Sequence, residues 1–259
     1  MHIPNVGAFG SARVIAELAK MAEDAGWDGV FVWDHVVRRE GDVDVVDPWV
    51  ALTAAAVATE RVQLGPLVTP LPRRRPWNVA KAAVSLDHLS GGRFVLGVGV
   101  GTPRGPEFPF FGEETDLRVR GDMLDEGLEI VRGVWSGEPV HFRGTHYSID
   151  GLRFLPTPVR PTGIPIWAAT ESTRGRPVRR AAGLDGIVPI DIAPADVAGL
   201  IDDIGRERVE RGRFDIVCVS PGEDAERWEA AGATWWLREL DWDRPAADAL
   251  AVVGRAPRG

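Results

Sequence analysis

The chain has 259 residues, a formal net charge of −8, 44% hydrophobic residues and one cysteine. The length suits a single α/β barrel, a doubly wound sheet or two small domains, each with a sizeable core. The acidic balance argues against a nucleic-acid surface, and a lone Cys218 excludes an internal disulfide or a cysteine-built zinc site.

No apolar run approaches the roughly 18 residues that span a bilayer, and no leader segment is recognisable. A reducing cytoplasm is the expected compartment. The only lysines, Lys20 and Lys81, fall in predicted helices, so the sequence offers no rim amine for Schiff-base chemistry.

In chain order, His2 to Asn5 reads as a short first strand, truncated at its start. Ser11 can cap a helix from Ala12 to Ala25, whose Val14, Ile15, Leu18, Met21 and Ala22 share one face. Gly26 stops it. Gly29 to Trp33 is a buried strand that runs into Asp34-His35, and Pro48 opens a helix through Ala58.

Val62 to Val68 is the next strand. Pro66, Pro70, Pro72 and Pro76 then break the chain, and a helix from Pro76 carries Val79, Ala82, Ala83, Leu86 and Leu89. Ser90-Gly91-Gly92 ends that helix before a strand from Arg93 to Val98. Strand, helix and strand in this order imply a right-handed parallel crossover. Gly97, Gly99 and Gly101 either admit a flat or bulky group to the backbone or relieve crowding inside a barrel.

Residues 102–114 show neither helical nor strand period and read as an ordered loop over a pocket. Leu117 to Trp135 is an amphipathic helix, and 138–154 is a hairpin inserted into the repeating pattern. Further strands fall at 164–169, 186–190, 214–219 and 233–238, with helices over Pro177–Gly183, Pro194–Arg211, Asp224–Ala231 and Ala246–Val253.

Eight strands, each followed by a helix, predict one (β/α)8 barrel spanning residues 1–259. A doubly wound sheet has fewer strands and a phosphate loop after the first. No G-x-G-x-x-G or P-loop pattern is present.

In such a barrel the chemistry lies where strands end. Those positions hold Asn5, Asp34-His35, Thr69, Gly101-Thr102, Thr170-Glu171, Asp191 and Ser220. His35 beside Asp34 suits a general acid or base, or a donor to a bound ring. The structural alternative is that Asp34 caps the next loop and His35 packs beneath it. Trp33 can wall a flat ligand. Arg73-Arg74-Arg75 could bind a phosphate, but such runs are more often a solvated face or a subunit contact, and Arg174 and Arg176, just before a helix, are better anion candidates. His141 and His146 read as exposed hairpin residues, with no carboxylate pattern to make a metal site.

Several segments also resemble a known family. These are PNxG at 4–7, AEDAGWDGVFVWDH at 22–35, the run from Asp47 to Trp77, LDHLSGGRFVLGVGVG at 86–101, the run from Met123 to Tyr147, and RRAAGLDGIVP at 179–189. Together they are similar to the bacterial luciferase-like superfamily, (β/α)8 barrels that use reduced FMN or the deazaflavin coenzyme F420.

The resemblance implies an oxidoreductase or monooxygenase acting on a small organic substrate, a homodimer, and a separate flavin reductase where FMN is used. It makes Asp34-His35 the catalytic rim. Pro66-Leu67 match a strand-three bulge with a non-prolyl cis peptide behind the cofactor ring, Gly101-Thr102 match the strand-four site, and Ala168-Ala169-Thr170 match the segment that holds the coenzyme phosphate.

Two departures stand out: Thr102 replaces a glutamate of some deazaflavin-dependent dehydrogenases, and Ala169-Thr170 replaces a glycine pair. Two other readings remain from the residues, a cofactor-poor partner subunit and a phosphate-substrate barrel enzyme.

Overall fold

The computed structural model describes residues 1–38, 42–103, 105–209, 212–220, 222, 225–244 and 246–255. The expected helix boundaries at Arg211 and Asp224 lie outside the described residues.

Three parallel strands, β1 (His2–Ile3), β2 (Gly29–Val32) and β3 (Gln63–Pro66), form one sheet in that order. A six-stranded sheet runs β11 (Trp235–Arg238), β10 (Asp215–Ser220), β9 (Gly186–Pro189), β8 (Ile166–Thr170), β5 (Leu96–Gly99) and β4 (Thr69–Pro70). Two single parallel bridges, Leu64 to Phe94 and His2 to Glu239, join the sheets on either side. The resulting order is that of a (β/α)8 barrel, with β3 and β4 as two pieces of one strand position. The predicted 62–68 strand is thus interrupted at Leu67 and Val68, which are joined by a cis peptide bond.

The inside is packed. Phe31, Leu67, Val95, Trp167, Val188, Val217 and Leu237 form one buried cluster, a side chain from each of seven strand positions. Interdigitated layers of this kind make the barrel centre a core and not a pore. The strands at β3 and β5 approach so closely that a Cβ on Gly65 would lie 1.9 Å from the Val95 carbonyl oxygen, and one on Gly97 2.3 Å from that of Pro66. Relief of crowding is therefore the reason for glycine at Gly97.

The outside of the barrel is covered by helices. α1 (Ala12–Asp24) turns Ile15, Leu18, Ala19 and Ala22 inward. α2 (Pro48–Ala58) starts where Asp47 accepts the N–H groups of Trp49 and Val50, an N-cap typically worth about 1 kcal/mol. In α3 (Pro76–Leu89) the buried stripe is Val79, Ala80, Ala83, Val84 and Leu86, while Leu89, expected in it, is exposed at the helix end. A short helix α4 (Glu107–Phe110) interrupts the segment expected to be irregular.

α5 (Leu117–Trp135), capped by Asp116, carries the hairpin β6 (Val140–Arg143) and β7 (Ser148–Leu152), which pairs only with itself. α6 (Arg176–Ala182), α7 (Pro194–Glu207), α8 (Ala225–Ala230) and α9 (Ala246–Val253) complete the alternation. The Trp27 indole donates to the carbonyls of Val253 and Arg255, tying the last helix to the first. Among the described residues, no helix is long and apolar enough to cross a membrane.

Candidate active site

The carboxyl end of β2 meets the chain beyond β1, the turn after β4 and α4. Asn5 receives its polar duty from the chain beyond β1: its side-chain N–H groups reach the carbonyls of His35 (2.9 Å) and Val46 (2.7 Å). Asp34, buried beside it, is completely engaged. Thr69 Oγ1 donates to Oδ2 at 2.8 Å, Arg73 Nη2 to Oδ1 at 2.7 Å, and Arg74 to both oxygens at 3.1 and 2.8 Å. Every lone-pair direction of Asp34 is thus used in holding β2 to the turn after β4.

Arg73 and Arg74 are accordingly not the solvated face that a run of three arginines suggests. The Arg73 side chain is 6% exposed and bridges two carboxylates, Asp34 and Glu107. Only Arg75 is exposed. The reason for the difference is tertiary: the carboxylates that draw the guanidinium groups inward come from β2's end and from α4.

Glu107 is the residue that sequence reasoning misses. It lies in a Pro- and Phe-rich segment without periodicity, and its only local signal is an acid in the first turn of a short helix. Its carboxylate accepts from His35 Nδ1 (3.2 Å), Arg73 Nη1 (2.8 Å) and the N–H groups of Val36 and Val37. Burial pushes its pKa up, but the His35 hydrogen bond, the charges of His35 and Arg73 and the Val36 N–H outweigh it and hold the group at about 2. Glu107 is an anion at neutral pH, so His35 Nδ1 carries the proton between them. The other ring nitrogen, Nε2, has no partner among the described residues.

Trp33 stands edge-on to His35 with ring centroids 5.3 Å apart, and its Nε1 donates to Glu239 at 3.1 Å. Glu239 also lies 3.0 Å from His2 Nδ1; burial pushes its pKa up, but the contact with His2 and the Trp33 hydrogen bond outweigh burial and lower it. His2 Nε2 in turn meets the Leu67 carbonyl at 2.9 Å. The non-prolyl cis bond expected at Pro66-Leu67 lies one residue further on, at Leu67-Val68.

Other rim residues are placed as follows. Pro66 and Leu67 are buried, and Thr69 is bonded to Asp34. Above Gly99, Val68 and Ala169 approach each other: a Cβ there would touch Val68 Cγ2 at 3.0 Å and Ala169 Cβ at 3.5 Å. Val68, Gly99 and Ala169 thus form an aliphatic floor on top of the packed interior. Gly101 has φ +81°, and the ring of Phe108 occupies the space where a side chain would be, so α4 closes directly over it.

Thr102 is exposed. Thr170 Oγ1 closes a local turn with Ser172, accepting its N–H and donating to its carbonyl. Arg174 is exposed, whereas Arg176 pairs with Asp122 and Asp125 of α5. Those two arginines therefore do not converge on a common point. His141 is exposed beside Asp150, and no group of three or more metal-ligating side chains is found among the described residues.

The carboxyl end of the barrel thus presents a histidine, two carboxylates committed to their neighbours and an aliphatic floor. The chain matches the family model for luciferase-like monooxygenases over residues 3–254, and it belongs to that family. Its members are F420- or FMN-dependent oxidoreductases and monooxygenases.

An uncharacterized protein of Mycobacterium tuberculosis is 31% identical over 270 residues, covering 93% of this chain and 91% of its own. The coenzyme F420-dependent tetrahydromethanopterin reductase of Methanopyrus kandleri superposes with a TM-score of 0.78 at 18% identity, over 99% of this chain and 96% of its own. A type II Baeyer–Villiger monooxygenase, the oxygenating constituent of 3,6-diketocamphane monooxygenase from Pseudomonas putida, in complex with FMN, gives 0.69 at 19% identity, over 82% and 62%.

Proposed function

We propose that this chain is a hydride-transferring oxidoreductase that uses coenzyme F420 to interconvert a small alcohol and its carbonyl compound. The observation that carries the reading is the hydrogen bond from His35 Nδ1 to the Glu107 carboxylate. An acceptor held in place on Nδ1 fixes the neutral imidazole in the tautomer whose Nε2 is a base. Such a base takes the hydroxyl proton of an alcohol while the carbinol carbon gives up its hydride, and returns it in the reverse direction.

The bound cofactor would supply the hydride acceptor or donor. The residues present fit a flat ring: Val68, Gly99 and Ala169 offer an aliphatic surface, Trp33 and His35 stand at its side, and α4 limits the access of water. Asp34, Arg73 and Arg74 hold the rim and position His35 without taking part in proton transfer.

A second reading is oxygenation with reduced FMN, for which the closure of Phe108 over Gly101 is the supporting observation. It brings with it a separate flavin reductase as partner. Under either reading the chain acts as one barrel domain, in the cytoplasm, and as a homodimer, which the family resemblance supports.

Titration of the purified chain with coenzyme F420, FMN and reduced FMN, followed by absorbance and tryptophan fluorescence, tests the choice. Selective binding of coenzyme F420 is expected. Binding of reduced FMN alone would move the assignment to the oxygenase, and binding of none would overturn both readings.

A further inference from the structure

Arg120, in the first turns of α5, is 1% exposed and lacks a carboxylate among the ion pairs of the described residues. Its Nη1 donates to the carbonyls of Val100 (3.2 Å) and Thr102 (3.5 Å), and the guanidinium lies 4.0 Å above the Phe108 ring. Its Nε is buried without a partner.

Arg93 shows what a purely structural buried arginine looks like in this fold. It makes five hydrogen bonds, to Ser90, Val62, Ala56 and twice to Thr59, which saturates the guanidinium. Arg120 has the same five donors and uses one nitrogen. The Nε–Nη2 edge, the fork that receives an oxyanion bidentately, has no hydrogen bond among the described residues. A buried charge left in this condition is unfavourable unless something completes it.

Beside it is a cavity of about 210 Å³, lined by Arg120, Thr102, Gly105, Phe108 and Thr115 together with two prolines, with no acid among the described lining residues. Neither threonine hydroxyl has a hydrogen bond to the described residues. Burial lowers the Arg120 pKa, with the Glu114 charge acting in the opposite sense.

We infer that the cavity between α4 and the start of α5 is an oxyanion site, in which Arg120 supplies the charge and Thr102 and Thr115 the hydroxyl donors for a phosphoryl group. The group can belong to a flavin nucleotide, to a phosphorylated substrate or to free phosphate; the recognition chemistry is the same. The site does not depend on the proposed hydride transfer.

The test is thermal unfolding of the intact chain in increasing sodium phosphate, with sodium chloride keeping the ionic strength constant. A saturable rise in Tm is expected for the wild type. It should be abolished in Arg120→Met with far-UV circular dichroism unchanged, and saturation should need several-fold more phosphate in Thr115→Val.

If Arg120→Met does not fold, the Thr102→Val and Thr115→Val variants decide: a several-fold rise in the phosphate needed for saturation in either supports the site, and an unchanged phosphate dependence in both overturns it. No saturable effect in the wild type, or an equal one in Arg120→Met, also overturns it. Displacement of phosphate by FMN but not by riboflavin would support the site and give it to the nucleotide. Displacement by neither, with the Arg120 dependence intact, would support it as a site for another phosphoryl compound.

Discussion

Arg73 and Asp34 are joined twice through a single nitrogen: Nη2 of the guanidinium donates to both the main-chain carbonyl and the carboxylate of Asp34, each at 2.7 Å. Since Nη1 of the same group holds Glu107 at 2.8 Å, one arginine fastens the end of β2 to α4. Removing it takes a charged partner from two buried carboxylates, which keep Arg74 and His35 beside them, and breaking a buried pair costs up to about 3–5 kcal/mol. Arg73→Met is expected to lose stability in that range, measured by urea unfolding; a loss below about 1 kcal/mol would contradict the network.

Among the described residues, His35 keeps one imidazole nitrogen, Nε2, without a partner and open to a reactant. Its replacement by Ala should lower kcat by about 10²- to 10⁴-fold, the usual contribution of general acid–base catalysis. Cofactor affinity, read by fluorescence titration, should change only a few-fold. Near-normal turnover in His35→Ala would remove the proton-transfer role.

Glu107 makes stability depend on pH in a defined window. Its pKa in the folded chain, about 2, lies below the ordinary value of 4.5. The ionised form is therefore favoured by folding, so its contribution is complete above pH 4.5 and is lost as the pH falls towards 2. The full effect is on the order of 3 kcal/mol. Comparing urea midpoints of the wild type and Glu107→Gln from pH 6 down to about 3 should show the difference between them shrinking with acid. A difference that is constant with pH would rule out Glu107 as the titrating group.

Cys218 lies inside β10, wholly buried, and burial pushes its thiol up to about 12. The thiolate is the reactive form. A thiol reagent such as DTNB at pH 8 should leave the native chain unlabelled over the time in which the denatured chain reacts completely. Rapid labelling without unfolding would mean that the barrel opens at β10.

Much of this architecture is legible in the sequence, and the reasons are local. α2 and α5 begin at capping aspartates and follow helical patterns strong enough to place both from end to end. Strand positions are right while their ends shift by one to three residues, because an apolar run continues past the point where ladder bonds stop. The rim is legible in part: Asp34 and His35 follow directly from the end of β2. Arg73 and Glu107 do not, since their partners lie 34 to 72 residues away along the chain. A run of three arginines looks the same in sequence whether carboxylates wait for it or not. The four-residue α4 has no room for a periodic pattern, and its fixing bonds all come from outside it.

The hairpin gives a different kind of information. Glu126 in the middle of α5 collects the N–H groups of Thr145, His146 and Tyr147, and Tyr147 sets its ring edge-on against Trp77. No ladder bond connects β6 or β7 to the barrel. The hairpin is fastened by the Glu126 carboxylate, the Tyr147 ring and the packing of Val140, Phe142 and Ile149 on the core, and not by ladder bonds, which makes it a module with its own fastening. A change in the length or sequence of such a module leaves the register of the eight-stranded barrel untouched.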